Sequence, residues 1–262
     1  MPVLMLHGFP LDRRSLAGSL GALVERRGRY RQLRVDLPGF GSSPGVSEIA
    51  SSDDMVDFVI ALVDELIGDQ QVLVVGESWG AYLARAVVAR RADQVAGVAL
   101  ICPVVIATHE RRDVPPHELL FEEPGLFGGE AGADGSVSAD AEEVAAFREI
   151  AVRADRAAWD HWRSRILPAL NAADEEAVAR IEARYAFEQD VDAVGPPFER
   201  PSLIVVGRQD GVVGYRDAVR LVERFPRSTF AILDGAGHNL VGERPGLVEA
   251  LVGDWLDRVE AS

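Results

Sequence analysis

The chain carries a single cysteine, Cys102, among 262 residues. An internal disulfide is therefore impossible, and metal sites built on cysteine pairs are excluded. A lone thiol suits a reducing compartment, so a cytoplasmic location is expected. No apolar run is long enough to span a bilayer, which argues against a membrane partner. Met1 to Gly8 lacks a basic segment and a small-residue cleavage site, and it reads as a core strand rather than a signal peptide. Basic residues are also in deficit: 27 Lys and Arg stand against 42 Asp and Glu, a net charge of −15. Such a surface repels phosphate backbones, which argues against nucleic acid, and it offers anionic substrates no long-range steering. The expected partner is a small molecule, with the chain a monomer or homodimer.

Hydrophobic residues make up 48% of the chain, enough for one large domain or a core domain with an insertion. Strand-like runs lie at Pro2 to Leu6, Gln32 to Asp36, Gln71 to Val75, Val95 to Ile101, Ser202 to Val206 and Thr229 to Leu233. Several are apolar throughout, as parallel strands covered on both faces should be. Helical patterns separate them: Ser15 to Arg26, Asp53 to Ile67, Ala81 to Arg91, Tyr215 to Phe225 and Pro245 to Val259. This alternation predicts an α/β fold, a mainly parallel doubly wound sheet. It breaks between about Val104 and Pro201, which reads as loops and helices only. Gly125 to Ser138 looks like a flexible loop, and Glu142 to Arg156, Ala158 to Leu170 and Asp174 to Phe187 look helical. The expected organisation is a core of residues 1–103 and 202–262, with 104–201 inserted as a helical cap.

Gly76-Glu77-Ser78-Trp79-Gly80 sits between the strand pattern ending at Val75 and the helix pattern that follows. A G-x-S-x-G in that context places the serine on a sharp turn, with its hydroxyl at the positive end of a helix. Asp210, in Gly207-Arg208-Gln209-Asp210-Gly211, follows another strand. His238, in Gly235-Ala236-Gly237-His238-Asn239, follows the last. Loops at strand carboxyl ends share the ligand-binding edge of an open α/β sheet. A serine needs a base to become a nucleophile, and the base needs a carboxylate to hold its tautomer. Ser78, His238 and Asp210 are the candidates. The backbone N–H groups of Phe9 and Trp79 are candidate oxyanion donors. His7 reads as structural, and Asp36 as a turn residue that binds local backbone N–H groups.

With His7-Gly8-Phe9-Pro10, Asp36-Leu37-Pro38-Gly39-Phe40-Gly41, the serine pentapeptide, Asp210 and Gly237-His238 in this order, the chain resembles the α/β-hydrolase superfamily over essentially its whole length. The resemblance implies Ser78 as nucleophile, His238 as base, Asp210 as acid, the Phe9 and Trp79 amides as oxyanion hole, a cap, and no cofactor or metal. Two features depart from the family pattern. The antiparallel hairpin that usually precedes the first motif is missing or trimmed, so the sheet is expected to keep its parallel core without that edge. Glu77 stands where His or Asn is common. A carboxylate there could raise the pKa of His238 or bond into the cap, but it reads as an ordinary polar residue of the turn.

Other residues carry weaker signals. Asp234 is a rival acid, too near the strand before His238. His109, His117 and His161 read as solvated or packing residues without metal spacing. Trp159 and Trp162 read as core packing, with an acyl-pocket role as the minor reading. Phe121, Phe127 and Tyr185 share that ambiguity. Cys102 reads as a buried, inert thiol that could reach the pocket wall, and Gly8 as a pocket residue. The leading expectation is a carboxylesterase-like serine hydrolase cleaving a small, mostly apolar acyl compound through an acyl-enzyme. A carbon–carbon bond hydrolase of vinylogous diketones is an alternative. So is a proline-iminopeptidase-like amidase, in which Glu122, Glu123 and Glu130 would hold the substrate ammonium. A non-catalytic ligand-binding protein on the same scaffold represents a different class. Dehalogenase chemistry, which the family runs from an Asp nucleophile, is disfavoured by Ser78.

Overall fold

The computed structural model describes residues 1–127, 137 and 139–262. In chain order its strands are β1 (Pro2–Leu6), β2 (Arg31–Arg34), β3 (Val72–Glu77), β4 (Val95–Ile101), the two-residue β5 (Phe121–Glu122) and β6 (Arg153–Ala154), β7 (Ser202–Gly207) and β8 (Ser228–Leu233). The α-helices are α1 (Ser19–Arg26), α2 (Ser52–Leu66), α3 (Trp79–Arg91), α4 (Ala141–Arg148), α5 (Arg156–His161), α6 (Leu167–Leu170), α7 (Glu175–Ala183), α8 (Leu221–Arg224), α9 (Leu240–Glu243) and α10 (Pro245–Glu260). A π-turn at Trp162–Ile166 joins α5 to α6.

Among the described residues the main sheet has six strands in the order β2-β1-β3-β4-β7-β8, every neighbouring pair parallel. The expected parallel core, without an antiparallel edge, is what forms. The apolar runs explain it: β1, β3, β4 and β7 are buried along their whole length, which only a sheet covered on both faces allows. Helices α3 and α10 supply much of that cover, with Trp79 and Trp255 fully buried. Parallel strands end on one edge, so the loops after β1, β3, β7 and β8 meet there.

Several expected bounds shift for local reasons. Helix α1 starts at Ser19, not Ser15, because the Asp12 carboxylate accepts the Arg14 N–H at 2.9 Å and holds the preceding residues in turns. Glu142 to Arg156 is not one helix. The chain leaves α4 after Arg148, and the N–H groups of Val152 and Arg153 donate to Glu243 instead of to a helical turn. Asp155 then caps α5 by accepting the Ala158 N–H. Tyr215 to Phe225 divides into a 3-10 turn at Asp217–Arg220 and α8. Helix α9, directly after His238 and Asn239, was not anticipated.

Residues 104–201 add no strand to the main sheet. The expectation of loops and helices only needs correcting, since β5 and β6 pair there in parallel. Phe147, Trp159, Trp162 and Ile166 build a hydrophobic cluster of their own, whereas Ile181 and Phe198 pack into the core of the main sheet. We read residues 104–201 as a cap in which described residues between Leu119 and Leu167 pack on one another, while Val104 to Ala107 and residues from Ala173 onward pack on the core of the sheet. Most of the stretch read as a flexible loop, Gly125 to Ser138, lies outside the described residues. Among the described residues no helix is long and apolar enough to cross a membrane.

The tightest constraint is at Gly80, where an added Cβ would lie 2.0 Å from the Leu6 carbonyl oxygen. Backbone cannot yield as a side chain can, so Gly80→Ala should cost about 3 kcal/mol or more. Urea unfolding measures this, and a loss within about 0.5 kcal/mol of zero would contradict the packing.

Candidate active site

Ser78 links β3 to α3 with φ 54° and ψ −115°, a conformation costly for any residue but glycine. Its surroundings over-determine it. The Ser78 N–H donates to the Ile101 carbonyl at 2.8 Å, and its own carbonyl accepts from Ala81 and Tyr82. Gly76 allows the turn to close, since a Cβ there would meet the Gly80 oxygen at 2.4 Å. Gly8 brings the loop after β1 against the serine, its Cβ direction ending 3.2 Å from Ser78 Cβ. The hydroxyl stands at the N-terminus of α3, where a developing negative charge is favoured.

Asp210 and His238 arrive from β7 and β8. The Asp210 side chain is fully buried, and its Oδ1 accepts the N–H groups of Val212 and Val213 at 2.8 and 3.0 Å. Its Oδ2 accepts from His238 Nδ1 at 2.9 Å, while His238 Nε2 lies 3.0 Å from Ser78 Oγ. An ionised carboxylate can only accept, so Nδ1 carries the proton and Nε2 is free to accept the serine O–H. Burial opposes charge on the imidazole. The Asp210 charge, its hydrogen bond and the Glu77 carboxylate outweigh that, and the His238 pKa is raised. Burial likewise works against the Asp210 carboxylate, but His238 and the loop N–H groups hold its pKa low. A hydroxyl, an imidazole and a carboxylate in this chain of contacts can move the serine proton onto nitrogen.

Two further carboxyl groups belong to the site. Glu77 is 5% exposed, accepts the Ser15 hydroxyl at 2.7 Å and lines the cavity in front of Ser78. Burial pushes its pKa up, against the pull of Ser15 and His238. It is therefore not an ordinary polar residue of the turn: Ser15, 62 positions earlier, closes over it. Glu243 in α9 accepts the Gly237 N–H at 2.6 Å and the Val152 N–H at 2.7 Å. One carboxylate thus ties the loop carrying His238 to the cap. No motif marks Glu243 in the sequence; its nearness to His238 was the only available signal.

The other expected residues divide cleanly. His7 Nδ1 donates to the Gly8 carbonyl at 2.9 Å, its Nε2 accepts the Leu37 N–H at 3.1 Å, and burial lowers its pKa. Asp36 accepts the N–H groups of Arg13 and Ser42, each at 3.0 Å, and pairs with the Arg13 guanidinium. Gly8 and Phe9 line the cavity. The Trp79 indole is buried and donates to Ser52 Oγ at 2.9 Å. Trp159 and Trp162 do not line it. They fill the cap's own cluster, with Phe127 and Phe147 against Trp159. Cys102 is fully buried behind the site, 3.8 Å from the Gly237 carbonyl, and is no part of the cavity wall. Burial and the Asp210 charge push its thiol pKa well up. Cys102, Asp210 and His238 bring ligand atoms within 4.8 Å of one another. The thiolate a metal would need is the disfavoured form, so the donor set suits a metal poorly.

Tyr185 lines the cavity, and so does His109, exposed at its edge. His117 donates to the Ala151 carbonyl, and burial lowers the His161 pKa to about 4. Asp234 is occupied by the Gln209 amide at 2.9 Å, away from the imidazole. Glu122 pairs with Arg148, and Glu123 accepts the Arg156 N–H; neither lines the cavity, and Glu130 lies outside the described residues. The cavity itself holds about 800 Å³. Leu11, Val104, Ile150, Ile166, Leu170 and Val212 make much of its wall apolar.

A family model described as alpha/beta hydrolase fold matches residues 1–245. An epoxide hydrolase A of Mycobacterium tuberculosis is 26% identical, the match covering 98% of this chain and 91% of the relative. A pimeloyl-[acyl-carrier protein] methyl ester esterase of Aeromonas hydrophila is also 26% identical, covering 90% of this chain and 87% of the relative. Among solved structures, an alpha/beta superfamily hydrolase from Oenococcus oeni superposes with a TM-score of 0.88 at 29% identity, covering 99% of this chain and 93% of that one.

The charges around His238 lead to a direct expectation. Its imidazole should titrate above the ordinary value of about 6.5, followed by NMR. Glu77→Gln removes one raising charge and should move that midpoint down. A midpoint unchanged by Glu77→Gln would show that Glu77 does not act on the imidazole.

Proposed function

This chain belongs to the alpha/beta-hydrolase fold family, and within it we propose a serine hydrolase that cleaves small, mostly apolar esters. The observation that carries the reading is the contact chain from Asp210 through His238 to Ser78 Oγ. In the proposed cycle the serine oxygen attacks the ester carbonyl as Nε2 takes its proton. The imidazolium, held by Asp210, then returns that proton to the departing alcohol. Water enters, His238 removes its proton, and the acid leaves Ser78. The backbone N–H groups of Phe9 and Trp79 would receive the tetrahedral oxygen, a contribution worth roughly 10²–10³ in rate per donor. The apolar wall suits an acyl chain.

The epoxide hydrolase relative raises a second chemistry, which a serine nucleophile disfavours. A carboxylate that opens an epoxide forms an ester, which water can cleave. A serine oxygen would form an ether, which water at this site cannot. Two of the three carboxylates named for the amidase reading, Glu122 and Glu123, are engaged away from the cavity, and Glu130 lies outside the described residues. A purely ligand-binding role would leave the aligned Ser78 hydroxyl without a use.

Two measurements test the proposal. A fluorophosphonate probe should label Ser78 and leave Ser78→Ala unlabelled. On 4-nitrophenyl esters, Ser78→Ala or His238→Ala should lower kcat roughly 10⁴–10⁶-fold. Turnover confined to aminoacyl anilides would overturn the esterase reading. A folded protein that neither labels nor turns over any ester would favour the binding role.

A further inference from the structure

Arg112 is a cation at the cavity that carbonyls hold in place. Several arginines meet carboxylates, as Arg13 does Asp36, Arg85 Asp192 and Arg148 Glu122, while Arg224 and Arg227 meet carbonyls away from the cavity. Arg112 meets three carbonyls and the Tyr185 phenol. Its Nε donates to Ile106 at 2.8 Å, and its two terminal nitrogens to Val212 and Ala107, each at 3.0 Å. Among the described residues no carboxylate forms an ion pair with it, in a protein whose net charge is −15. A guanidinium has five N–H donors, so three bonds to carbonyls leave two on the terminal nitrogens, with the Tyr185 phenol as their neighbour.

The position of that charge matters. Arg112 lines the same cavity as Ser78 and His238. Its field reaches both the Tyr185 phenol and the His238 imidazole. The three carbonyls come from the segment after β4 and from the loop after Asp210, so the guanidinium is held in place before any ligand arrives. Glu110 and Glu182 also line the cavity, but both are exposed to water and neither pairs with Arg112. Glu77 is turned to Ser15. Asn239 adds to the demand for acceptors: it lines the cavity, and its enclosed amide nitrogen has no acceptor among the described residues. A cavity with apolar walls, spare donors and an unneutralised guanidinium fits an aliphatic ligand that ends in an anion.

We infer that Arg112, beside the Tyr185 phenol, forms a carboxylate subsite, and that the substrate is a small ester carrying a free carboxylate. The inference rests on the serine-hydrolase reading for the word ester. The subsite itself rests on Arg112 alone. The carboxylate could belong to the acyl part, as in a half-ester of a dicarboxylic acid, or to the alcohol part, as in an acylated hydroxy acid. Carboxylates suit a guanidinium, and such charge-assisted bonds are stronger than neutral ones.

The test compares charged esters with their neutral amides. In one arm the enzyme hydrolyses monoethyl glutarate and ethyl glutaramate. In the other it hydrolyses the acetyl esters of 4-hydroxybutyrate and of 4-hydroxybutyramide. In one arm kcat/KM should favour the carboxylate by at least roughly tenfold. Arg112→Gln should abolish that ratio, mainly through KM, and Arg112→Lys should restore part of it. Because Arg112 also braces the wall, a second measurement uses the wild-type protein: glutarate should compete with substrate, and glutaramide should not. Equal or better turnover of the neutral esters in both arms, without inhibition by glutarate, would overturn the subsite. If no ester is turned over, the hydrolase reading fails by itself. Calorimetry of glutarate against wild type and Arg112→Gln then still decides the subsite: loss of binding in the variant supports it, and absent or unchanged binding overturns it.

Discussion

The close approach of two backbones at Gly80 is the constraint on which the site depends. A Cβ on it would lie 2.0 Å from the Leu6 carbonyl oxygen, so close does the start of α3 come to β1. No side chain fits between them. That contact lets the chain reverse within one residue, which sets Ser78 at φ 54°. A serine in an ordinary strand-to-helix loop could rotate away from its neighbours. Here strand hydrogen bonding on one side and the first turn of α3 on the other leave its hydroxyl a narrow range of positions.

Charge supplies the second level of order. Asp210 is buried yet ionised, because two loop N–H groups and one imidazole take up its lone pairs. That arrangement selects the histidine tautomer, and the tautomer gives Nε2 its accepting lone pair. Glu77 adds a further charge near the imidazole and accepts the Ser15 hydroxyl. Glu243 acts mechanically: through three N–H groups, those of Gly237, Val152 and Arg153, it couples the histidine loop to the cap. The cavity therefore joins a fixed polar floor to walls contributed by both parts of the chain.

The floor was legible in the sequence and the walls were not, for physical reasons. Each residue of the Ser78, Asp210 and His238 set follows its own apolar run, and parallel strands must end on one edge, so local patterns alone bring the three together. Glycines at positions 76 and 80 announce a turn without room for side chains. Trp159 and Trp162 show why the pocket escaped: helical spacing marks an apolar face but does not say whether that face meets a cavity or another helix. They meet Phe147. Tyr185, which does line the cavity, was read inside the helical pattern Asp174 to Phe187 but lies past the end of α7, and Arg112 sits in a stretch with no periodic signal. Glu77 looked incidental because its partner Ser15 is distant in the chain and was expected inside a helix. Glu243 lies in a short helix that the pattern did not reveal.

The central claim is that one hydroxyl becomes covalently acylated during turnover. Rapid acid quench of the protein with a 4-nitrophenyl ester, followed by peptide mass spectrometry, tests it most directly. The account predicts an acyl group on the peptide that bears Ser78, appearing before steady state and absent after Ser78→Ala. Steady turnover with the acyl group on another residue, or turnover that survives Ser78→Ala undiminished, would contradict it.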